Sequence, residues 1–195
     1  MSPLVRFPQH LHLQPEAEVP LGVDAAELEE WGDRVCGLAC LRTVLTFHDL
    51  PVPRLWDLVE AARELEAYVP QGIVHARLVD VARRHGLDGA AVELPGIDDV
   101  VRVGDAGFPV IVSVGPTLPD DGSRGGHLIT VGGSTPDGQV AIADPGRWGA
   151  SRDRVPADRF SSYTGRAIVP WPPAQSDRAR ALLESSTSRP TSGGR

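Results

Sequence analysis

Apolar positions along the chain follow two periods in turn, first helical and then alternating. Leu38, Leu41, Val44, Leu45 and His48 fall on one stripe of a helix predicted over 36–48. Pro51 and Pro53 punctuate, and Leu55, Leu58, Val59, Ala62 and Leu65 then repeat at 3.6-residue spacing. A further helix over about 74–85 buries Leu78, Val81 and Ala82 and stops at Gly86. Upstream, Asp24 is a good N-cap for a short helix at 25–31. Beyond Gly86 the pattern predicts a short strand at 90–94 and a helix at 97–103. Strands follow at 108–114, 127–132, 139–144 and 166–171. Helices segregated ahead of an antiparallel sheet make the fold α+β.

The ends lack this periodicity. Residues 1–20 are rich in proline and read as an arm laid over the surface of a single domain at 21–172. Residues 173–195 are rich in Ser, Arg, Gly and Pro. Apart from an Ala-Arg-Ala-Leu-Leu-Glu patch at 179–184, they read as a disordered tail.

One strand pair offers a geometric test. Ser134-Thr135-Pro136-Asp137-Gly138 is a turn signal between two apolar runs. Pairing Gly133 with Gly138 sets Val131 against Val140, Ile129 against Ile142, and His127 against Asp144. Directly opposed residues share a face with Cβ atoms roughly 4.5–5.5 Å apart. The hydrophobic pattern thus brings a histidine beside an aspartate at one end of an otherwise apolar face. A one-residue slip of either strand would destroy that coherence.

Composition narrows the chemistry. At 195 residues and 41% hydrophobic, with only 5% aromatic, the chain can bury one mainly aliphatic core. A net charge of −7 argues against nucleic acid or an anionic membrane as partner. All 19 basic residues are arginine, which excludes Schiff-base, pyridoxal-phosphate and phosphate-loop lysine chemistry. The N-terminus lacks the apolar run of a secretory signal, and no stretch approaches the ~20 apolar residues of a membrane span. The expectation is a soluble cytoplasmic protein without cofactor, its two cysteines reduced rather than paired in a disulfide scaffold.

Within that frame Cys36 stands out, because it opens the most apolar helix. A helix N-terminus offers partial positive charge and unpaired N–H groups, which favour a thiolate. His127 is placed to share the proton with Cys36, and Asp144 to fix the tautomer and orientation of the ring. This is the layout of a papain-type nucleophile. Gly37 and Gly126 leave room for a substrate backbone. Arg147 and Trp148 either line the cleft or cover it, and the loop at 116–124 reads as a substrate-binding rim. Cys40, one turn on, reads as core. A zinc site from Cys36, Cys40 and His127 lacks a closed four-ligand spacing. His48, His75 and His85 read as ordinary helix residues.

These residues carry a family resemblance. The run Val35-Cys36-Gly37-Leu38-Ala39-Cys40-Leu41 resembles the Asp-Cys-Gly-x-Ala-Cys-Leu signature of the C39 peptidases, papain-like enzymes that process bacteriocin leader peptides. Gly126-His127-Leu128-Ile129-Thr130-Val131 resembles that family's Gly-His-Phe-x-Val-Val strand, and Ala143-Asp144-Pro145 its Ala-Asp-Pro segment. Phe160 with Gly165-Arg166-Ala167-Ile168 resembles the closing segment. The resemblance implies a papain-like fold with Cys36 as nucleophile, His127 as base and Asp144 as orienting residue. The implied substrate is a peptide, such as the leader of a ribosomal precursor. Two positions depart from the pattern. Val35 replaces the family's Asp, and Glu30 stands six residues before Cys36, where the family carries its oxyanion-hole Gln. An ionised Glu30 would repel the oxyanion, so either Glu30 is held protonated at the hole, or the indole N–H of Trp31, together with the Cys36 backbone N–H, lines it, or peptidase activity is weak or absent.

The leading function is therefore a cysteine peptidase working through a thioester. An acyl- or peptidyl-transferase would use the same thiol with an amine as acceptor. A non-catalytic peptide-binding module would retain the cleft, a reading that Glu30 favours.

Overall fold

A computed structural model describes residues 4–11 and 22–187. The parts of the expected arm at 12–20 and of the expected tail at 188–195 lie outside the described residues.

The predicted helices form with boundaries within about two residues. They are α1 (Ala25–Gly32), α2 (Cys36–Phe47), α3 (Leu55–Glu64), α4 (His75–Arg84) and α5 (Ile97–Asp105). The Asp24 carboxylate caps α1 by accepting from the N–H groups of Ala26 and Glu27. Asp99 does the same for α5 by accepting from Gly96 N–H. Ten of the twelve residues of α2 are buried, so it is a core helix rather than an amphipathic surface one.

The main sheet is antiparallel throughout, in the order β3 (Asp88–Glu93), β8 (Arg166–Trp171), β4 (Val110–Val114), β5 (His127–Ser134), β6 (Val140–Ala143) and β7 (Arg154–Val155). A separate hairpin of β1 (Tyr68–Val69) and β2 (Gly72–Ile73) sits between α3 and α4. Neither this hairpin nor β7 was expected; two-residue strands carry too little alternation to read.

Alternation along the strands sends side chains to two cores. Ile111, Leu128 and Ile168 pack with α1–α4 on one face. Val110, Val112, Ile129, Val131, Val140, Ile142 and Val169 pack with α5 on the other. The sheet is thus covered on both faces. The second layer includes α6 (Ser176–Thr187), which buries Ala179 and Leu183. The expected disordered tail is therefore corrected for residues 173–187. The apolar patch at 179–184 belongs to a helix begun by Ser176, whose hydroxyl accepts from the Trp171 indole N–H. No described helix is long and apolar enough to cross a membrane.

The β5–β6 register also differs from expectation. The hairpin closes on Thr135 and Gln139, with Thr135 N–H donating to the Gln139 carbonyl at 2.8 Å, around a three-residue loop in which Gly138 has φ +78°. Ser134 then faces Val140 and Gly133 faces Ala141. A bulge at Gly132 follows, beyond which Val131 faces Ile142 and Thr130 faces Ala143. The bulge exists because α5 presses on it. A Cβ on Gly104 would lie 2.4 Å from the Gly133 nitrogen, and Asp105 accepts from Ser134 N–H at 2.6 Å. Relative to the expected pairing, the strand end carrying His127 is displaced by two residues. An even slip preserves the faces, so His127 and Asp144 become diagonal rather than direct neighbours and remain within reach.

Candidate active site

Cys36 is the first residue of α2 and only 8% exposed. Its N-cap, Val35, is fully buried and offers no side-chain hydrogen bond, so the first-turn N–H groups are left without a side-chain acceptor. Where the family pattern has Asp, this chain spends the position on core packing.

His127 Nε2 lies 2.7 Å from Asp144 Oδ1, both side chains nearly withdrawn from solvent. Gly146 N–H donates to the same carboxylate oxygen at 2.7 Å. With Nε2 engaged, Nδ1 is the nitrogen left for the Cys36 thiol, with which the ring shares a cavity. Burial alone would lower the His127 pKa. Hydrogen bonds to Asp144 and Cys36, with the charges of both, outweigh it and raise the pKa to about 9. The imidazolium is thus the resident form at neutral pH. Cys40 contrasts with Cys36: it is fully buried, its thiol donates to the Leu128 carbonyl at 3.3 Å, and burial pushes its pKa well above the ordinary value. It is a core residue, as the sequence suggested.

Cys36 and His127 open onto one cavity of about 270 Å³, walled by Asp33, Arg34, Gln71, Gly72, Ile73, His75, Ser113 and Gly126. Gly72, Ile73, His75, Ser113 and Gly126 also line a larger cavity of about 660 Å³ that extends past Arg124, Thr164 and Arg166. The two form one groove running away from the thiol. Gly126 (φ +86°) faces open space at the junction, consistent with its expected place beside substrate.

Other expected site residues lie elsewhere. Glu30 is turned to solvent, its side chain 66% exposed and paired with Arg34 at 3.3 Å. Trp31 is buried edge-on against Tyr68, with the guanidinium groups of Arg34 and Arg63 over its ring, away from the cavity that holds Cys36. Neither is among the residues that wall the cavity shared by Cys36 and His127. Gly37 is also reassigned. A Cβ there would meet Leu128, Ile73 and Leu78 at 2.9–3.2 Å, so its role is close packing of α2 on β5 and β2. Trp148 packs on the second core beneath Arg152 and is not among the residues lining the groove. Of the loop at 116–124, only Arg124 reaches the cavity; Leu118 and Pro119 are tied down by Arg159 and Ser161.

The structure adds residues with no sequence signal. The β1–β2 hairpin supplies one wall of the cleft through Gln71, Gly72 and Ile73. Gly146 and Gly149 let the chain wrap around Asp144: a Cβ on Gly146 would stand 3.1 Å from its Oδ1, and one on Gly149 2.3 Å from its carbonyl oxygen. Both are unremarkable glycines until the wrapping is seen. Among the described residues, no group of three or more His, Cys, Asp and Glu is arranged to hold a metal ion.

The sequence profile of the Peptidase C39 like family matches residues 10–166. The fold resembles the peptidase domain of Streptococcus ComA, a bi-functional ABC transporter involved in a quorum-sensing pathway. That likeness has a TM-score of 0.54 and 27% identity, over 71% of this chain and 92% of that one. A protein described as a C39-like peptidase from Bacillus anthracis shares the fold with TM-score 0.53 at 18% identity, over 71% of this chain and 88% of that one. No curated protein sequence matches the chain. With the family profile spanning most of its length, the chain belongs to the Peptidase C39 like family and is a cysteine peptidase of papain-like fold.

Proposed function

We propose that Cys36, His127 and Asp144 form a catalytic triad that hydrolyses a peptide bond through a thioester acyl-enzyme. The observation that carries this reading is the His127 ring, bonded at Nε2 to a buried carboxylate while sharing a cavity with the thiol at the start of α2. An imidazolium in that position stabilises the thiolate.

The thiolate attacks the scissile carbonyl carbon, the C–S bond forms, and the carbonyl π pair moves onto oxygen. Backbone N–H groups of the first turn of α2 face that developing charge. Collapse re-forms the carbonyl and breaks the C–N bond as His127 gives its proton to the leaving amine. The neutral ring then takes a proton from water, which attacks the thioester and releases the acid. Asp144 holds the ring through both steps. Glu30 is the feature favouring a non-catalytic module, but its side chain is exposed and paired with Arg34, so its charge is neutralised and screened by solvent. The groove past Gly126 suits an extended peptide, and the family resemblance makes the leader of a ribosomal precursor the proposed substrate, processed in the cytoplasm.

The test is mass spectrometry of the chain incubated with precursor-type peptides. The reading expects two peptide fragments and a transient covalent adduct on Cys36, both lost in Cys36→Ala. Product that forms only with added amine would replace hydrolysis by transfer. No adduct on any peptide, with an unreactive thiol, would support the binding module.

A further inference from the structure

Residues 4–9 precede the stretch matched by the family profile, yet two of them, Arg6 and Gln9, bond directly to the turn that carries Asp144. Arg6 Nε donates to the Asp144 carbonyl at 2.6 Å, and its Nη2 donates to the carbonyls of Gly146 at 2.7 Å and Pro145 at 3.2 Å. Gln9 N–H donates to the Pro145 carbonyl at 3.1 Å. Three consecutive carbonyls therefore converge on one guanidinium, whose planar fork of donors suits that task where a lysine's point charge does not.

We propose that Arg6 is a positioning residue of the active site, holding the 144–146 turn so that the Asp144 carboxylate meets His127. This inference rests on the triad reading above.

The reasoning is geometric. Asp144 has a short side chain, so the position of its carboxylate follows its backbone. On one side the turn is fixed by the Asp144 carboxylate accepting from Gly146 N–H. On the other, its carbonyls have Arg6. A misplacement of ~1 Å at a catalytic group can cost about 10²-fold in rate.

Arg6 is itself anchored independently of the turn. The Val5 carbonyl accepts from Thr43 Oγ1 at 2.8 Å, Phe7 lies under the Arg42 guanidinium, and Leu4 packs on Gly132. At the far end Gln9 Nε2 donates to the Gly32 carbonyl at 3.1 Å, ahead of Cys36, and Leu11 is buried among the helices. The arm is thus a strap from the β5 bulge, across α2 and over the Asp144 turn, to the approach of the nucleophile.

Charge and geometry are separated by comparing Arg6→Lys with Arg6→Ala. Removing a cation near Asp144 would by itself strengthen the hold of Asp144 on the imidazolium. Losing the three-carbonyl bridge weakens it. Lysine keeps the charge and loses the bridge. In the Cys36→Ala chain, Asp144 is the charged group bonded to His127, with Arg6 behind it, while Asp33, Arg34 and His75 across the cavity are common to every variant, so differences in the ring's proton NMR titration read the Asp144 pair. The expected result is a fall in the His127 pKa of about one unit or more in Arg6→Lys, with a smaller fall in Arg6→Ala. In chains retaining Cys36, iodoacetamide labelling at pH 7 should slow about tenfold in both variants. An unchanged His127 titration in folded Arg6→Lys would overturn the proposal, even with a lower thermal midpoint, because Arg6 would then be a brace only. Failure of the triad reading looks different: the unsubstituted chain would label no faster than a free thiol, while the NMR titration would still report the strap.

Discussion

Gly149 packs directly against Asp144: a methyl group on its Cα would lie 2.3 Å from the Asp144 carbonyl oxygen and 2.4 Å from its Cβ. Such contacts with backbone cannot be relieved by a rotamer change, so Gly149→Ala should push the turn off the His127 ring. We expect turnover to fall by about 10²-fold, with the chain still folded by circular dichroism. Gly146→Ala is the graded companion. Its added methyl would meet Asp144 Oδ1 at 3.1 Å and His127 Nε2 at 3.4 Å, a crowding that small shifts absorb, so its loss should be the lesser of the two.

On the triad reading, the His127 pKa, raised to about 9, should set the alkaline limit of activity. Loss of the imidazolium removes both the partner of the thiolate and the proton for the leaving amine, so rate should decline as pH rises through about 9. Asp144→Ala should draw that limb down by about one to three units, read from a pH–rate profile. The folded value lies above the unfolded value of 6.5, so this group's contribution to stability is full below pH 6.5 and disappears as pH passes about 9. Thermal midpoints of the unsubstituted chain and His127→Ala should therefore converge on the alkaline side.

Trp31→Phe should leave turnover within about twofold, since Trp31 is not among the residues walling the cavity of the thiol and a phenyl ring retains most of the packing on Tyr68. Trp31→Ala should cost about 3 kcal/mol of stability through the cavity it leaves, measured by urea unfolding. Glu30→Gln should be silent in both assays, because an exposed ion pair contributes at most ~1 kcal/mol.

Leu183→Ala should destabilise the chain by about 2 kcal/mol without altering the labelling of Cys36. Leu183 and Ala179 seat α6 on the face of the sheet opposite the nucleophile helix. A change in labelling rate at constant fold would show coupling through the sheet that this packing does not provide.

What could be read from the residues follows from which forces are local. Helical spacing, the Asp24 cap and the placement of Cys36 at the start of α2 are local and were legible. So was the meeting of His127 with Asp144, although through a register that was two residues out. The error lay in the bulge at Gly132, which answers to Gly104 and Asp105 of a helix some thirty residues away in sequence. The outcome survived because side chains alternate with period two. Glu30 and Trp31 are not among the residues walling the cavity, and their partners, Arg34 and Tyr68, are contacts that spacing from Cys36 does not reveal. Arg6 was illegible because its partners are carbonyls, which no side-chain pattern reveals. The tail was misread because its composition is polar, whereas its helix needs only Ala179 and Leu183 buried to stay docked.

The central claim is an activated Cys36–His127–Asp144 unit, and it is tested most directly by the pH dependence of iodoacetamide labelling, with Cys36→Ala and His127→Ala as references. The account predicts label on Cys36 alone, at a rate near pH 6–7 about tenfold or more above that of a free thiol, and loss of that advantage in His127→Ala. Label on Cys40, or a rate indifferent to His127, would contradict it.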